Sequence, residues 1–354
     1  MSGRHRIAVI PGDGIGVEVI PEAVAALEAV ARLDGGLRLE FEEVDWSSER
    51  YLREGSIMPE DFEDRLRGFD AILAGPCGDP RIPDDVVLWG FIIPLRQRFD
   101  QYVNLRPVRL LPGVEGRLRD AADLDIVFVR ENTEGEYSGV GGRVHRGLPE
   151  EVAIESLVFT RTGVERVIRF AFEYAREHGR GKVTSATKSN AQRHAMVFWD
   201  EVFAAVAAEY PDIEHESRLI DALAARMVTH PDSLDVVVAS NLFGDILTDL
   251  GSALAGSLGI APSANLDPTR RAPSLFQAIH GSAPDIAGRG IANPIAELWS
   301  AAMLLEFLGE ADGAAALMRA IEEAVADPSV RTPDLGGGGT TRGLGGAVRE
   351  RLRA

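Results

Sequence analysis

Two aspartates in the second half of the chain have a spacing that suits a divalent cation. Asp245 and Asp249 stand four residues apart in segment 241–250, which opens a predicted apolar helix. This spacing places both carboxylates on one helix face, where like charges destabilise the helix unless something compensates them. Oxygen ligands of this kind suit Mg²⁺ or Mn²⁺. The alternative is a solvent-exposed face on which one aspartate caps the helix.

Three arginines could bind the carboxylates of a substrate. Arg96 and Arg106 stand ten positions apart, and Arg130 ends a predicted strand. A guanidinium group forms paired hydrogen bonds with a carboxylate, so a convergent set would clamp an acidic ligand. The alternative is ordinary ion pairing at the surface.

Two further side chains could transfer protons. Tyr137 follows a predicted strand in a loop flanked by glycines, and Lys188 follows another short strand. Both residue types act as acids or bases when neighbouring groups tune their pKa values. Each of them, taken alone, could equally have a structural role.

A loop of small residues at positions 280–288 could lie against a ligand that carries phosphate. Its sequence, His-Gly-Ser-Ala-Pro-Asp-Ile-Ala-Gly, exposes backbone amides and allows a close approach. The alternative is a plain loop built on glycine and proline.

These candidates follow elements with an alternating strand and helix pattern. Residues 7–10 are a β-branched apolar run, turn 11–16 follows, and apolar residues then recur at helical spacing at Val17, Ile20, Val24 and Leu27. Further strands are predicted at 37–41, 69–75, 125–129 and 234–239. The pattern predicts an α/β fold, and polar residues at the carboxyl ends of its strands are typical of ligand sites.

Several common motifs are missing from the sequence. Gly12, Gly14 and Gly16 have the spacing G-x-G-x-G, which departs from the ordinary dinucleotide fingerprint. The sequence also lacks a phosphate-binding P-loop, a nucleophile elbow and an H-E-x-x-H zinc pair. A bound cofactor must therefore be held in another way.

Length and composition exclude other classes of protein. The 354 residues correspond to about two domains of ordinary size. The chain has 37 Lys and Arg against 55 Asp and Glu, a net charge of −18, which disfavours nucleic acid as a partner. No apolar run reaches the length of a membrane helix. The single cysteine, Cys77, favours a reducing, cytoplasmic location.

Taken together, several segments resemble the β-decarboxylating dehydrogenases of the isocitrate and isopropylmalate family. The segments that carry the resemblance are 11–16, 104–107, 131–135, Lys188, 241–250 and 280–288. Segments 88–90, 99–109, 185–190 and 261–266 are most similar to the tartrate and D-malate (decarboxylating) branch of that family. The order and spacing of these motifs match over almost the whole chain.

The resemblance implies an isopropylmalate dehydrogenase-like two-domain fold with a mixed sheet, unlike an ordinary Rossmann fold. A cofactor-binding domain would comprise residues 1–98 and 252–354, and a central domain would comprise residues 99–251. The active site would lie between the two domains. An arm near 139–156 would join two copies into a homodimer, in which Lys188 and Asp221 reach the site of the partner. A monomer would then be inactive.

The resemblance also implies a role for each candidate residue. Arg96, Arg106 and Arg130 would bind the substrate carboxylates. The metal ligands would be Asp245, Asp249 and, from the other subunit, Asp221. Lys188 would accept the proton of the C2 hydroxyl, and Tyr137 would protonate C3 after loss of CO₂.

NAD is the cofactor implied, because a carboxylate at Asp285 would accept the ribose hydroxyls and repel a 2′-phosphate. The residues expected to contact it are Asn190, His280, Gly281, Ser282, Ala283, Pro284, Asp285, Ile286, Asn293 and Asp334.

The expected activity is oxidative decarboxylation of a small D-configured 2-hydroxy diacid such as D-malate or tartrate. Two departures from the family pattern are Gln277, where many relatives have Glu, and an apolar stretch at 91–95 in place of Ser-Leu-Leu-Lys-Phe. Because Phe91 is expected beside C3 of the substrate, 3-isopropylmalate remains an alternative. A non-catalytic regulatory relative is another alternative, although the intact set of acids and bases argues against it. The choice between Mn²⁺ and Mg²⁺ and the need for a monovalent cation stay open.

Overall fold

The computed structural model describes residues 3–118 and 124–352. The chain divides into two compact units. Unit 1 comprises residues 1–101, 109–122 and 252–354, and unit 2 comprises residues 102–108 and 123–251.

Strands and helices alternate along much of the chain. The strands are β1 (Arg4–Ile10), β2 (Arg38–Glu43), β3 (Ala71–Ala74), β4 (Val103–Arg109), β5 (Asp125–Glu131), β6 (Gly135–Val144), β7 (Val152–Val158), β8 (Lys182–Thr187), β9 (Glu214–Leu219), β10 (Val236–Ala239), β11 (Pro262–Leu266) and β12 (Ser274–Ala278). The helices are α1 (Gly16–Asp34), α2 (Ser48–Glu54), α3 (Phe62–Leu66), α4 (Asp84–Gly90), α5 (Ile92–Arg98), α6 (Arg161–Glu177), α7 (Ala195–Ala207), α8 (Ile220–Thr229), α9 (Asn241–Leu254), α10 (Ile295–Phe307), α11 (Ala311–Ala326) and α12 (Thr341–Arg351).

The strands of unit 1 follow the order β2-β1-β3-β12-β11. The pairs β1–β2, β1–β3 and β3–β12 are parallel, whereas β11 and β12 are antiparallel. The apolar run at residues 7–10 is buried within β1, as its β-branched composition predicts. This mixed sheet confirms the α/β class and the departure from an all-parallel Rossmann sheet.

The first helix, α1, begins at Gly16, one residue before Val17, the first residue of the predicted apolar pattern. Ile20 and Leu27 are buried in α1, but Val17 is exposed, so its predicted place on the apolar face is wrong. Val17 belongs to the first turn of the helix, and burial begins at Val19.

In unit 2 the strands follow the order β4-β5-β10-β8-β9, and β5, β10, β8 and β9 are mutually parallel neighbours. Strands β6 and β7 form a separate antiparallel pair. This pair exposes several apolar side chains, namely Val140, Val144, Val152 and Ile154. The expected arm at 139–156 lies within it.

Within residues 3–118 and 124–352, no helix has both the length and the apolar character needed to cross a membrane.

A buried carboxyl group lies in the middle of unit 1. Glu297 is on α10, whose other side chains are largely apolar, and its Oε1 accepts a hydrogen bond of 3.0 Å from the Ala278 amide. Its Oε2 has no hydrogen-bond partner among the described residues. Burial raises the pKa of Glu297 from 4.5 to about 8.

This raised pKa predicts a pH-dependent loss of stability. Between pH 4.5 and about 8, folded Glu297 keeps a proton that the unfolded chain has released. The free energy of unfolding should therefore fall as pH rises, by at most about 1.4 kcal/mol per pH unit from this group. Glu297→Gln keeps the acceptor and removes the titration, so urea unfolding should show a smaller loss between pH 5 and 8. Equal pH dependence in both proteins would contradict this account.

Candidate active site

The start of α9 is fixed by a carboxylate from another element. Strand β10 ends at Ala239, and Glu136 on β6 accepts hydrogen bonds from the Ser240 hydroxyl (2.8 Å) and the Leu242 amide (3.1 Å). A carboxylate is favourable at a helix N-terminus, where backbone amides lack partners. Glu136 thereby sets the position of the helix that carries Asp245 and Asp249. This role of Glu136 has no signal in the sequence, because nothing in the local sequence connects it with residue 240.

Asp245 is the meeting point of the predicted site residues of unit 2. Its Oδ1 accepts hydrogen bonds from Nη1 of Arg130 (2.5 Å) and Nη1 of Arg106 (3.3 Å). The hydroxyl of Tyr137 lies 3.4 Å from Oδ2. The two arginines are only 1% and 4% exposed, whereas the Asp245 side chain is 40% exposed. A carboxylate open to solvent is thus held from behind by two buried cations.

The position of Arg130 depends on a glycine. A Cβ atom at Gly244 would lie 2.6 Å from Cγ of Arg130, so any larger residue would displace the arginine. The other arginine is fixed by a second bond, from Nη1 of Arg106 to the Thr248 hydroxyl (2.6 Å). Gly244 and Thr248 on α9 therefore help to fix the positions of the two arginines.

The pKa values of this group reflect its burial and its crowding. Burial and, after it, the neighbouring charge of Arg130 lower the pKa of Arg106 to about 10, against the opposing effect of Asp245 and Asp249. Burial, and then the charge of Asp245, raises the pKa of Asp249. Each shift opposes the charged form of a group that has like charges beside it.

The two aspartates fit part of a divalent-cation site. They present carboxylate oxygens from one face of α9, and no side-chain hydrogen bond or ion pair within residues 3–118 and 124–352 involves the Asp249 carboxylate. In residues 3–118 and 124–352 there is no group of three His, Cys, Asp or Glu side chains arranged to hold a metal ion. One chain would thus contribute at most two acidic ligands from this helix, and further ligands would have to come from substrate, water or another chain.

Lys188 and Asp221 form a separate pair. Nζ of Lys188 lies 2.5 Å from Oδ1 of Asp221, and this bond lowers the pKa of the aspartate. The pairing follows from topology, because parallel strands β8 and β9 end together and Asp221 opens α8. No hydrogen bond among the described residues joins this pair to Asp245.

Arg96 belongs to unit 1, where it lies on α5. It is nearly fully buried, and its Nε donates a hydrogen bond of 2.9 Å to Oδ1 of Asn265 on β11.

The apolar stretch before Arg96 is largely buried. Phe91 is 3% exposed and packs with Ile92 and Ile93 in a core cluster of unit 1. The Phe91 ring thus lies in the core of unit 1, and its place beside C3 of a substrate stays a prediction. The exposed apolar side chains of this region are Leu88 and Trp89, the latter 42% exposed.

The loop at 280–288 lies against the glycine turn at 11–16. The amide of Ile15 donates a hydrogen bond of 2.9 Å to the carbonyl of Ser282. Gly14 has φ +56°, and a Cβ there would lie 2.0 Å from the same carbonyl oxygen. The unusual glycine spacing thus serves a close contact between two backbone segments.

His280 and Asp334 fit a ligand site within unit 1. Burial lowers the pKa of His280, and its Nε2 is buried without a hydrogen-bond partner among the described residues. Oδ2 of Asp334 accepts hydrogen bonds from Ser257 (2.6 Å) and Asn293 (3.0 Å). A neutral imidazole with an unused nitrogen beside a fixed carboxylate suits the polar groups of a nucleoside.

The other expected cofactor residues have simpler surroundings. Gly281, Pro284 and Asp285 are exposed, Ala283 and Ile286 are half-buried, and Ser282 is buried. Asn190, in unit 2, is exposed two residues after Lys188.

Comparisons with known proteins match one family of enzymes over almost the whole chain. A family model described as isocitrate/isopropylmalate dehydrogenase matches residues 6–348. The chain is 53% identical over 347 residues to a probable tartrate dehydrogenase/decarboxylase of Agrobacterium vitis, covering 98% of this chain and 95% of that protein. It is 51% identical over 357 residues to the tartrate dehydrogenase/decarboxylase of Pseudomonas putida, covering 98% and 97%.

A third relative and one solved structure extend the comparison. The D-malate dehydrogenase (decarboxylating) of Escherichia coli (strain K12) is 51% identical over 357 residues, covering 98% of each chain. The crystal structure of isocitrate dehydrogenase from Methylococcus capsulatus has a TM-score of 0.90 at 37% identity, covering 99% of this chain and 100% of that one.

The burial of Phe91 predicts a structural role for its side chain. Phe91→Ala should lower the free energy of unfolding by about 3–5 kcal/mol, because it leaves a cavity in the core cluster. Trp89→Ala is the matched control. The Trp89 side chain is much more exposed, so its removal should lower the free energy of unfolding by less. Urea unfolding measures both losses. A Phe91→Ala protein of parental stability but altered substrate preference would support the original expectation.

Proposed function

The chain belongs to the isocitrate/isopropylmalate dehydrogenase family, and we propose that it catalyses the NAD-linked, metal-dependent oxidative decarboxylation of a small D-configured 2-hydroxy diacid. It is an enzyme, a decarboxylating dehydrogenase of this family. The observation that carries the finer proposal is Asp245 between Arg106 and Arg130, where cation-binding oxygens adjoin two buried guanidinium groups. The names of the relatives from A. vitis, P. putida and E. coli support D-malate or tartrate as the substrate.

In this proposal the substrate binds by replacing Asp245 as the hydrogen-bond partner of Arg106 and Arg130. Arg106 and Arg130 bind Asp245 through Nη1 atoms, the atoms with which an arginine binds an external carboxylate. A substrate carboxylate would compete for these atoms, and a cation held by Asp245 and Asp249 would compensate the carboxylate charge that the arginines release. Arg96 would bind a carboxylate of the same substrate.

The proton transfers would be carried out by Lys188 and Tyr137. Lys188, from the partner subunit together with Asp221, would accept the proton of the C2 hydroxyl, and the Tyr137 hydroxyl would protonate C3 after CO₂ has left. A divalent cation, when bound by Asp245, Asp249 and the partner's Asp221, would supply stabilisation of the negative charge that develops on substrate oxygens. NAD, bound by residues 280–286, Asn293 and Asp334, would supply the hydride acceptor.

A homodimer would follow from the same proposal. The hairpin of β6 and β7 exposes Val140, Val144 and Ile154, which an isologous contact with a second copy would cover. The residues of unit 1 would constitute the cofactor-binding domain, and those of unit 2 would supply the arm and the acidic site. The burial of residues 91–93 argues against a wall that accommodates the branched substituent of 3-isopropylmalate, and this diacid stays the alternative substrate for the assay.

The substrate and metal assignments lead to a direct prediction. NAD reduction should be faster with D-malate or tartrate than with 3-isopropylmalate, and it should stop in excess chelator and return with Mn²⁺ or Mg²⁺. The measurement is kcat/KM for each diacid, followed by metal titration of the chelated enzyme. Full activity in chelator would exclude the metal site, and a higher kcat/KM for 3-isopropylmalate would reverse the substrate assignment.

The shared site predicts complementation between two inactive proteins. Lys188→Ala should lower kcat by a factor of order 10² to 10⁴, and Tyr137→Phe should also be impaired. Mixed dimers of the two variants contain one complete site, so unfolding and refolding them together should restore part of the activity. The control is each variant refolded alone. A mixture no more active than its components would show that Lys188 does not act in the partner's site.

Asp285 predicts the choice of dinucleotide. Its exposed carboxylate would repel a 2′-phosphate, so kcat/KM should be much higher with NAD than with NADP. Asp285→Asn keeps the shape of the side chain and removes its charge. It should lower the ratio of kcat/KM with NAD to kcat/KM with NADP by about tenfold or more. Similar kcat/KM values for both dinucleotides in the parent would refute the role of Asp285.

A further inference from the structure

Each of the three arginines expected to bind the substrate is held by the side chain of a buried asparagine. The Nε-to-Oδ1 distances are 2.9 Å from Arg96 to Asn265, 2.5 Å from Arg106 to Asn104 and 3.1 Å from Arg130 to Asn241. All three asparagines are almost completely buried. Each pair lies within one unit, so the pattern occurs once in unit 1 and twice in unit 2.

This choice of partner is unusual for the chain. The sequence has six asparagines, at positions 104, 132, 190, 241, 265 and 293, against 55 Asp and Glu residues. The Nε atoms of several exposed arginines instead donate to carboxylates, as in Arg65 with Asp61, Arg81 with Asp79 and Arg176 with Asp212. Half of the asparagines thus contact the three arginines to which a ligand role is assigned.

An amide and a carboxylate differ in one relevant property. Either oxygen can accept a hydrogen bond from Nε and fix the plane of the guanidinium group. A carboxylate at that position would also cancel the positive charge, whereas an amide leaves it available to a ligand. In Arg106 and Arg130, where Nε is occupied by an amide, Nη1 is the atom that binds a carboxylate, that of Asp245.

Two of the amides are themselves anchored. Nδ2 of Asn265 donates to the carbonyl of Leu275 (3.3 Å), and Nδ2 of Asn241 donates to the carbonyl of Glu134 (3.4 Å). An aspartate could not make these bonds while ionised, since it has no N–H group. Asn241 additionally accepts a hydrogen bond of 2.6 Å from Nη2 of Arg130, which leaves Nη1 as the outward atom.

We propose that Asn104, Asn241 and Asn265 are positioning residues, which orient the three arginines for a dicarboxylate without neutralising them. This inference rests on the proposed function, because it assigns the arginines to the substrate carboxylates. It predicts that a negative charge at an asparagine position weakens diacid binding even when shape and hydrogen bond are kept.

The test compares two substitutions of Asn265 in the full-length enzyme. Asn265→Asp keeps the size and the acceptor but adds charge, whereas Asn265→Ser keeps a neutral acceptor in a smaller side chain. In Asn265→Asp the new charge should weaken the hydrogen bond between Arg96 and the substrate carboxylate. KM for the diacid should therefore rise about 10- to 100-fold, the usual effect of losing a hydrogen bond to a charged group. KM for NAD should change little, and Asn265→Ser should have the smaller effect on the diacid.

Gln101→Glu is the matched control. Gln101 is also buried in unit 1, and its side-chain amide donates to the carbonyl of Pro273 (2.8 Å), so this variant adds a buried carboxylate at another place. It should lower thermal stability and leave KM for the diacid near the parental value. The proposal is overturned if Asn265→Asp raises KM less than Asn265→Ser does, or no more than Gln101→Glu does.

Thermal protection of the parent by D-malate and tartrate separates this inference from the proposed function. A parent that neither binds nor oxidises any diacid refutes the proposed function. The positioning role is then decided by the ¹⁵N NMR signal of Arg96 Nε–H. A signal protected from exchange in the parent and lost in Asn265→Ala supports the role, and a signal unchanged by that substitution overturns it.

Discussion

Two guanidinium groups with almost no exposure to solvent, those of Arg106 and Arg130, share one carboxylate, that of Asp245. Removing both cations from water is costly, and their mutual repulsion adds to the cost, as the lowered pKa of Arg106 shows. Asp245 offsets part of this cost, and the rest of the site maintains the arrangement. Glu136 fixes the start of the helix, and Gly244 leaves room for Arg130. Such an arrangement favours ligand binding. A ligand with more than one carboxylate would reduce the repulsion between the two guanidinium groups more than the single carboxylate of Asp245 does.

Local sequence predicted the parts of the site that depend on local geometry. The strand-to-helix transition at residue 241 and the four-residue spacing of Asp245 and Asp249 follow from chain geometry alone, and the structure has both. The position of Lys188 at the end of β8 has the same origin. The roles of the individual site residues came from the family resemblance. That resemblance rests on sequence motifs and does not say which side chains contact each other.

Contacts between distant segments could not be predicted in this way. An apolar side chain such as Phe91 suits both a substrate pocket and a protein core. Only the packing of unit 1 determines that its ring lies in the core. Glu136 caps a helix about a hundred positions away, and Asn265 orients an arginine on another element. Such pairings depend on which strands become neighbours, and a single sequence does not contain that information. Glu297 is similar, since its surroundings raise the pKa of an otherwise ordinary carboxyl group.

The pair of Lys188 and Asp221 shows why a single chain would be insufficient in the proposed mechanism. The two side chains neutralise each other at 2.5 Å, and topology places them together at the ends of β8 and β9. In the proposed site, Asp245 and Asp249 of one chain would supply two acidic ligands, fewer than a hard divalent cation takes. In the proposed dimer, Asp221 would be one of the residues that hold the cation of the second copy, and Lys188 would then lie beside the substrate hydroxyl without its counter-ion. Assembly and activation of the base would then be one event, because the same contact completes the acidic site and separates Lys188 from Asp221.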